Sequence, residues 1–291
     1  MSEKALDFRR EGNRDVLRAS VRKTREGTAF PVLTFPSIDA IQGIRHIMTT
    51  RAGGVSTGQF ATVNFSTDLG DQKDAVMENF RRAADVMGTR PERIVSTHQT
   101  HTVNVRHVTE QDAGIGVTRE LSYHDVDGLI TDTPGLCLSV YYADCVPLFF
   151  VDPVHRAIGL SHSGWRGTVH RMGAVTIRHM GEAFGTKPED LICAVGPSIC
   201  RKCYEVGGEV AEAFREEFPG HSSELMDEKQ NGKFQLDLRA ANRRVLLDAG
   251  VPEENIQVTD ICTCCNPELL HSHRASHGKR GNLGAFLMIE P

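Results

Sequence analysis

Hydrophobic positions along this chain recur with two periods. In "DAVMENFRRAADVMG", residues 74–88, apolar side chains return every three to four positions, which predicts an amphipathic helix stopped by Gly88. "TVHRMGAVTIRHMGEAFG" (168–185), "GGEVAEAFREEF" (207–218) and "LDLRAANRRVLLDAG" (236–250) read the same way. Other runs are short and rich in β-branched and aromatic residues, and predict strands. These are "GIRHIMTT" before a Gly-Gly turn, "RIVSTHQTHTVNVRHV" (93–108), "DGLITD", "LCLSVYYADCVPLFFVD" (136–152), "RAIGLSHSG", "LICAVGPSI", "QVTDIC" and "LGAFLMI". Thr-Pro-Gly and Asp-Pro turns separate the middle ones.

Helices and strands are mixed without strict βαβα alternation. This predicts an α/β or α+β fold with mixed sheets rather than a Rossmann fold or a TIM barrel. No Ser/Gly linker, repeat or low-complexity block divides the chain. The reading is a polar N-terminal extension, residues 1–28, followed by one catalytic domain, residues 29–291. Arg10, Arg14, Arg18 and Arg22, four apart, would share one face of a helix in that extension, most simply a solvated face.

Composition narrows the function. A net charge of -5 over 291 residues argues against non-specific nucleic-acid binding. No apolar run approaches the roughly 18 residues of a membrane span, and the polar start lacks a signal-peptide core. A cytoplasmic protein is expected, in which the eight cysteines are mostly reduced. Cys137 and Cys193, inside strands, read as small buried hydrophobes.

Three predicted strand ends carry chemistry: "HQTH" (His98 to His101), "ADCVP" with Cys145, and "SHSGWRG" with His162. Two His and one Cys form a zinc ligand set that leaves a fourth position open. His98 and His101, three apart in a strand, would face opposite sides, so at most one enters such a site. Spacing alone does not show convergence. His107, His155, His170 and His179 have no partner pattern. A second group, "CTCCNPELLHSHR" (262–274), holds Cys262, Cys264, Cys265, His271 and His273. Cys262 and Cys264 resemble a metal hook, but local packing is the simpler reading. Cys200 and Cys203 form a C-x-x-C whose second half is not evident nearby. P-loop and Rossmann glycine patterns are absent.

In order, "TTRAGGVS", "HQTHTVNV", "DGLIT", "ADCVPLFFVDP", "SHSGWRGT", "GPSI", "CYEVGGEV", "LDL" and "DICT" resemble the YfiH-like, laccase-domain family, labelled polyphenol oxidase and later purine nucleoside phosphorylase. The resemblance covers roughly residues 30 to 290. It implies a single-domain four-layer α/β/β/α sandwich and a zinc held by His101, Cys145 and His162. Copper in the same site is the alternative cofactor. The implied activity is phosphorolysis of adenosine, inosine and methylthioadenosine, with adenosine deamination as a side activity. Deamination is attack of water on the purine C6. Phosphorolysis needs an anion site beside the sugar, for which Arg51 and Arg274 are the candidates. Arg166 is a further candidate for pairing with an anion or carboxylate. Asp144 and Gln99 flank the ligands and are expected, with Cys145 and His162, to serve the catalytic centre by orienting ligands or water. Trp165 reads as a packing plug. The expected partners are small purine nucleosides and phosphate, with the oligomeric state open.

The chain departs from the family pattern where Ser163 replaces an alanine, where "LHSHR" places His271, and where Arg280 sits two positions from its usual place before Gly281-Asn282. Three other readings compete: a metal-free cysteine hydrolase using Cys145 and His162, a copper-dependent phenol oxidase, which needs many more histidines than one Cys-His-His set, and a metal-stabilised binding protein without turnover.

Overall fold

The computed structural model describes residues 6–12 and 16–291. In chain order the elements are β1 (Arg18–Lys23), β2 (Ala29–Thr34), α1 (Pro36–Asp39), β3 (Ile44–Thr49), α2 (Lys73–Met87), β4 (Ile94–Ser96), β5 (Val105–His107), β6 (Gly128–Thr131), β7 (Cys137–Tyr142), β8 (Val146–Asp152) and β9 (Ala157–Ser163). Then follow α3 (Trp165–Val169), α4 (Met172–Phe184), β10 (Ile192–Val195), β11 (Glu205–Val206), α5 (Gly208–Glu217), α6 (Ser222–Leu225), β12 (Met226–Glu228), β13 (Phe234–Leu236), α7 (Leu238–Asp248), β14 (Ile256–Val258) and β15 (Leu283–Ile289).

Two six-stranded sheets form the centre. One runs β1-β2-β3-β15-β7-β4 and the other β14-β10-β8-β9-β6-β5. Most neighbours are antiparallel, but β4–β7, β10–β14 and β5–β6 are parallel, so both sheets are mixed. Alternation along the strands sends every second side chain to the opposite face. Leu138, Val140 and Leu287 of the first sheet meet Phe149, Ile158 and Leu160 of the second in the inner core. The opposite face of the first sheet, with Ile47, Phe286 and Met288, is covered by Val76, Phe80 and Ala84 of α2. The opposite face of the second, with Leu148 and Phe150, is covered by α4, α5 and α7. The result is the four-layer α/β/β/α sandwich.

Four local expectations are corrected. Arg18 and Arg22 lie on a strand, not a helix. Ala19 and Val21 alternate with them and pack on the inner core, and β1 pairs with β2 along its whole length. The period of two thus wins over the spacing of four. Arg14 lies outside the described residues, and Arg10 bridges to Ile261. Second, "RIVSTHQTHTVNVRHV" is not one strand. Its ends are β4 and β5, in different sheets, and His98 to His101 lie in the connection. Third, "LCLSVYYADCVPLFFVD" breaks into β7 and β8, again in different sheets. Fourth, the helix expected over 168–185 is two helices, separated at Arg171, whose φ is +57°.

Candidate active site

Two of the connections that cross between the sheets deliver a candidate ligand to one point. Between β4 and β5 the chain carries His101, and between β7 and β8 it carries Cys145. His162 enters from β9, where it faces Pro147 of β8 in register, so it lies beside the start of the strand that follows Cys145. The three donor atoms lie within 4.8 Å of one another, and Cys145 Sγ is 3.9 Å from His101 Nε2. The imidazoles of His101 and His162 meet edge to face at 5.0 Å. His101 is exposed, Cys145 half-buried and His162 buried.

The backbone is strained where this requires it. His101 has φ of +65° and Asp144, the residue before Cys145, φ of +91°, a left-handed region that non-glycine residues visit only when their surroundings hold them there. Asp127 holds the first. Its buried carboxylate accepts the backbone N–H groups of Thr100, His101 and Thr102 at 3.0, 3.1 and 3.0 Å. It also accepts His162 Nδ1–H at 2.8 Å, which leaves His162 Nε2 as the free donor atom. Burial alone would raise the Asp127 carboxyl pKa, but His162 and the backbone donors hold it below its ordinary value. The second strained turn is held by Asp144 itself. Its carboxylate accepts Thr263 Oγ1–H at 2.6 Å and the Arg274 backbone N–H at 2.7 Å.

Gly164 closes the floor. A Cβ there would come within 2.9 Å of the His101 ring and 3.0 Å of Cys145 Sγ, so only glycine admits the trio. Burial would raise the Cys145 thiol, yet the neighbouring His162 and His101 bring it down to about 6. Burial would lower His162, yet Cys145 and Asp127 hold it up at about 9. The pair is therefore a Cys145 thiolate beside a protonated His162, and a cation bound there would displace the Nε2 proton. A borderline dication fits the trio: two nitrogens and a sulfur converge, and a carboxylate fixes one ring from behind.

The trio lies in a cleft of about 530 Å³, inside the range of small-molecule sites. Phe65 and Tyr141, stacked at 6.1 Å with rings 14° apart, form part of an aromatic wall. Lys73, at the start of α2, and Arg280 also line the cleft. Arg280 Nε is buried with no hydrogen-bond partner. His98 is a lining residue too, with Nδ1 accepting the Asp125 N–H at 3.2 Å. In a connection rather than a strand, both His98 and His101 reach the cleft.

The remaining expected residues are placed as follows. Gln99 spends its amide on the backbone of Tyr141, donating to its C=O at 2.6 Å and accepting its N–H at 2.7 Å, so it ties the first crossing to β7. Arg51 is bound to the carbonyls of Ala61 and Pro267, and Arg274 to those of Cys203 and Glu205. Neither is among the cleft-lining residues. Arg166 is exposed and stacks on Trp165 at 4.3 Å, and Trp165 packs against the outer core of the second sheet. Sequence reasoning missed Asp127 and set Arg280 aside. Asp127 stands at the head of "DGLIT", and a carboxylate beside a predicted histidine ligand is the signal that would have marked it.

With this geometry in hand, the comparisons define the class. The chain matches the family model described as "Multi-copper polyphenol oxidoreductase laccase" over residues 45–290. It belongs to that family, the YfiH-like laccase-domain proteins. It is 37% identical over 243 residues to purine nucleoside phosphorylase YlmD of Bacillus subtilis (strain 168), covering 82% of this chain and 86% of that one. It is 33% identical to adenosine deaminase RL5 from an unknown prokaryotic organism, covering 81% and 90%. The crystal structure of YlmD from Geobacillus stearothermophilus superposes with a TM-score of 0.86 at 33% identity, covering 96% of this chain and 100% of that one.

Proposed function

We propose that this protein is a zinc-dependent purine nucleoside phosphorylase acting on adenosine, inosine and methylthioadenosine, with adenosine deamination as a side activity. One observation carries the reading. A His-Cys-His trio shares one nucleoside-sized cleft with an aromatic wall and with Arg280, whose Nη1 donates to Asn282 and whose buried Nε has no partner. The relatives named for phosphorylase and deaminase activity support the substrate class.

His101, Cys145 and His162 would hold the metal. Zinc there supplies Lewis-acid activation at the position the three protein ligands leave open. Asp127 keeps His162 in the tautomer that presents Nε2 and keeps the His101 turn in place. Tyr141 and Phe65 offer a flat apolar surface to a purine ring. Arg280 and, from the start of α2, Lys73 line the same cleft and would offer charge-assisted donors to phosphate next to the sugar. This moves the anion role from Arg51 and Arg274, whose guanidinium groups are held by backbone carbonyls. Gln99, which also lines the cleft, and Asp144 act by holding the two crossings.

The test is turnover of inosine and adenosine with and without phosphate, alongside metal content. Ribose-1-phosphate formed only with phosphate, and lost together with zinc in Cys145→Ala, is the expected result. Hydrolysis indifferent to phosphate would overturn it. A second reading rests on the series Asp127–His162–Cys145, which is also the order of a cysteine-hydrolase triad. It requires full activity in chelator and rapid alkylation of Cys145. The copper oxidase reading lacks support in the donor set, since the only other metal-competent group among the described residues contains no histidine.

A further inference from the structure

Four cysteines outside the cleft form a second cluster. Cys200, Cys203, Cys262 and Cys265 place their sulfurs within 4.8 Å of one another. Cys203 and Cys265 are 3.4 Å apart, Cys200 and Cys265 3.9 Å. The sequence holds two C-x-x-C pairs, 200–203 and 262–265. Taking Cys262 with Cys264 as the hook hid the second pair. Cys264 is not in the quartet, His273 is exposed, and His271 is engaged elsewhere, donating to the Val63 carbonyl and accepting the Gly281 N–H.

We propose that these four thiolates bind a second, structural zinc ion. Tetrahedral zinc with Zn–S near 2.3 Å sets its sulfurs about 3.8 Å apart, and the Cys203–Cys265 and Cys200–Cys265 separations bracket that value. A polynuclear iron–sulfur cluster spreads its thiolates around several metals and needs a wider ring than this. Each C-x-x-C lies in a tight turn: Arg201–Cys203 is a short 3-10 turn, and Cys262 Sγ accepts the Cys200 and Cys265 N–H groups at 3.2 and 3.4 Å. Backbone donors aimed at a ligating sulfur are what a thiolate-rich site needs to spread its charge. Glu11 lies close to Cys200 and is paired to Arg239 at 3.0 Å, so it does not add an unbalanced charge. All eight cysteines are free thiols, so no disulfide competes. With four protein ligands and no open position, the role is structural.

What this site joins is also on the page. Ser198 bridges to Cys262, and Thr263 N–H donates to the Ser198 carbonyl at 3.1 Å. Ile199 N–H donates to the Asp144 carbonyl at 3.0 Å, and Thr263 Oγ1 to its carboxylate. Arg9 N–H donates to Asn266 Oδ1 at 2.7 Å, which ties residues 6–12 to the same turn. The quartet therefore ties the two loops that hold the strained residue before Cys145. The inference stands whether or not the cleft performs phosphorolysis.

The test is metal content of the full chain purified under reducing conditions with zinc supplied. Wild type should hold two zinc ions per chain. Cys145→Ala should hold one, and Cys145→Ala with Cys203→Ser none. Should the double variant fail to fold, Cys145→Ala loaded with cobalt decides alone, by the intense near-ultraviolet sulfur-to-cobalt absorption of a four-thiolate tetrahedral site. A metal-free Cys145→Ala without that absorption overturns the proposal, and so does iron in place of zinc. Absence of phosphorolysis would leave the cobalt spectrum unchanged, so failure of the cleft reading and failure of this one are separable.

Discussion

The trio and the quartet are built by opposite means. His101 and Cys145 come from two connections and His162 from the end of β9, 44 and 17 residues apart in the chain. They meet because two connections cross between sheets at one seam. The quartet uses two local turns of three-residue spacing, with Cys203 and Cys262 59 residues apart, brought together by the alignment of Ser198 with Cys262. The trio mixes nitrogen and sulfur and opens on a cleft. The quartet is all sulfur and closed. Chemistry needs a vacant coordination position and tolerates strain to obtain it. Stability needs neither.

The largest effect should come from breaking the trio. His162→Ala or Cys145→Ala is expected to reduce phosphorolysis by well over about 100-fold, beyond the roughly 10- to 100-fold range of changes behind the ligands. Asp127→Asn should fall inside that range, with weaker metal retention in a chelator competition. A normal metal affinity in Asp127→Asn would remove its orienting role.

Arg280→Ala tests the other end of the cleft. Loss of a charge-assisted contact of about 1.5–3 kcal/mol predicts a rise of roughly 10- to 100-fold in the phosphate KM with a smaller change in nucleoside KM. Equal changes in both would show that Arg280 only packs. Cys203→Ser sharpens the contrast between the regions. It should lower the melting temperature by roughly 5–10 °C, a few kcal/mol, while retaining measurable turnover. Complete loss of activity with an unchanged melting temperature would erase the division of labour.

The smallest effect lies in neither region. His46 is buried, accepts the Phe35 N–H at 2.8 Å and faces Asp39 at 3.6 Å, with Arg22 nearby. Burial first, and then the Arg22 charge, lower it to about 3. The unfolded chain therefore takes up this proton near pH 6.5 and the folded one does not. His46 stabilises the fold fully above about pH 6.5, and that contribution declines by up to about 1.4 kcal/mol per pH unit as pH falls toward 3. His46→Gln should flatten that part of the stability–pH curve, measured by urea unfolding. An unchanged slope would assign the acid sensitivity elsewhere.

The core elements were legible because burial leaves a period. Ile47, Met48 and Leu138 advertise a two-sided sheet, and Val76, Phe80 and Ala84 a helix that covers it. Residue types capable of holding a metal were legible too, and family resemblance named His101, Cys145 and His162 by motif. Even the second C-x-x-C was present to be counted. Local pattern could not show the crossings. "HQTH" and "YYADC" look like continuous strands because the residues before and after each break are themselves strand residues, of different sheets. It could not assign the arginines, since Arg51, Arg274 and Arg280 carry the same charge, and only the fold shows that Arg280 lines the cleft with an unpartnered Nε while Arg51 and Arg274 do not line it. The sequence by itself determined which segments are buried and which donors exist. The tertiary structure decided which donors meet, because convergence depends on strand register and sheet crossing, and these are set by packing between segments far apart in the chain.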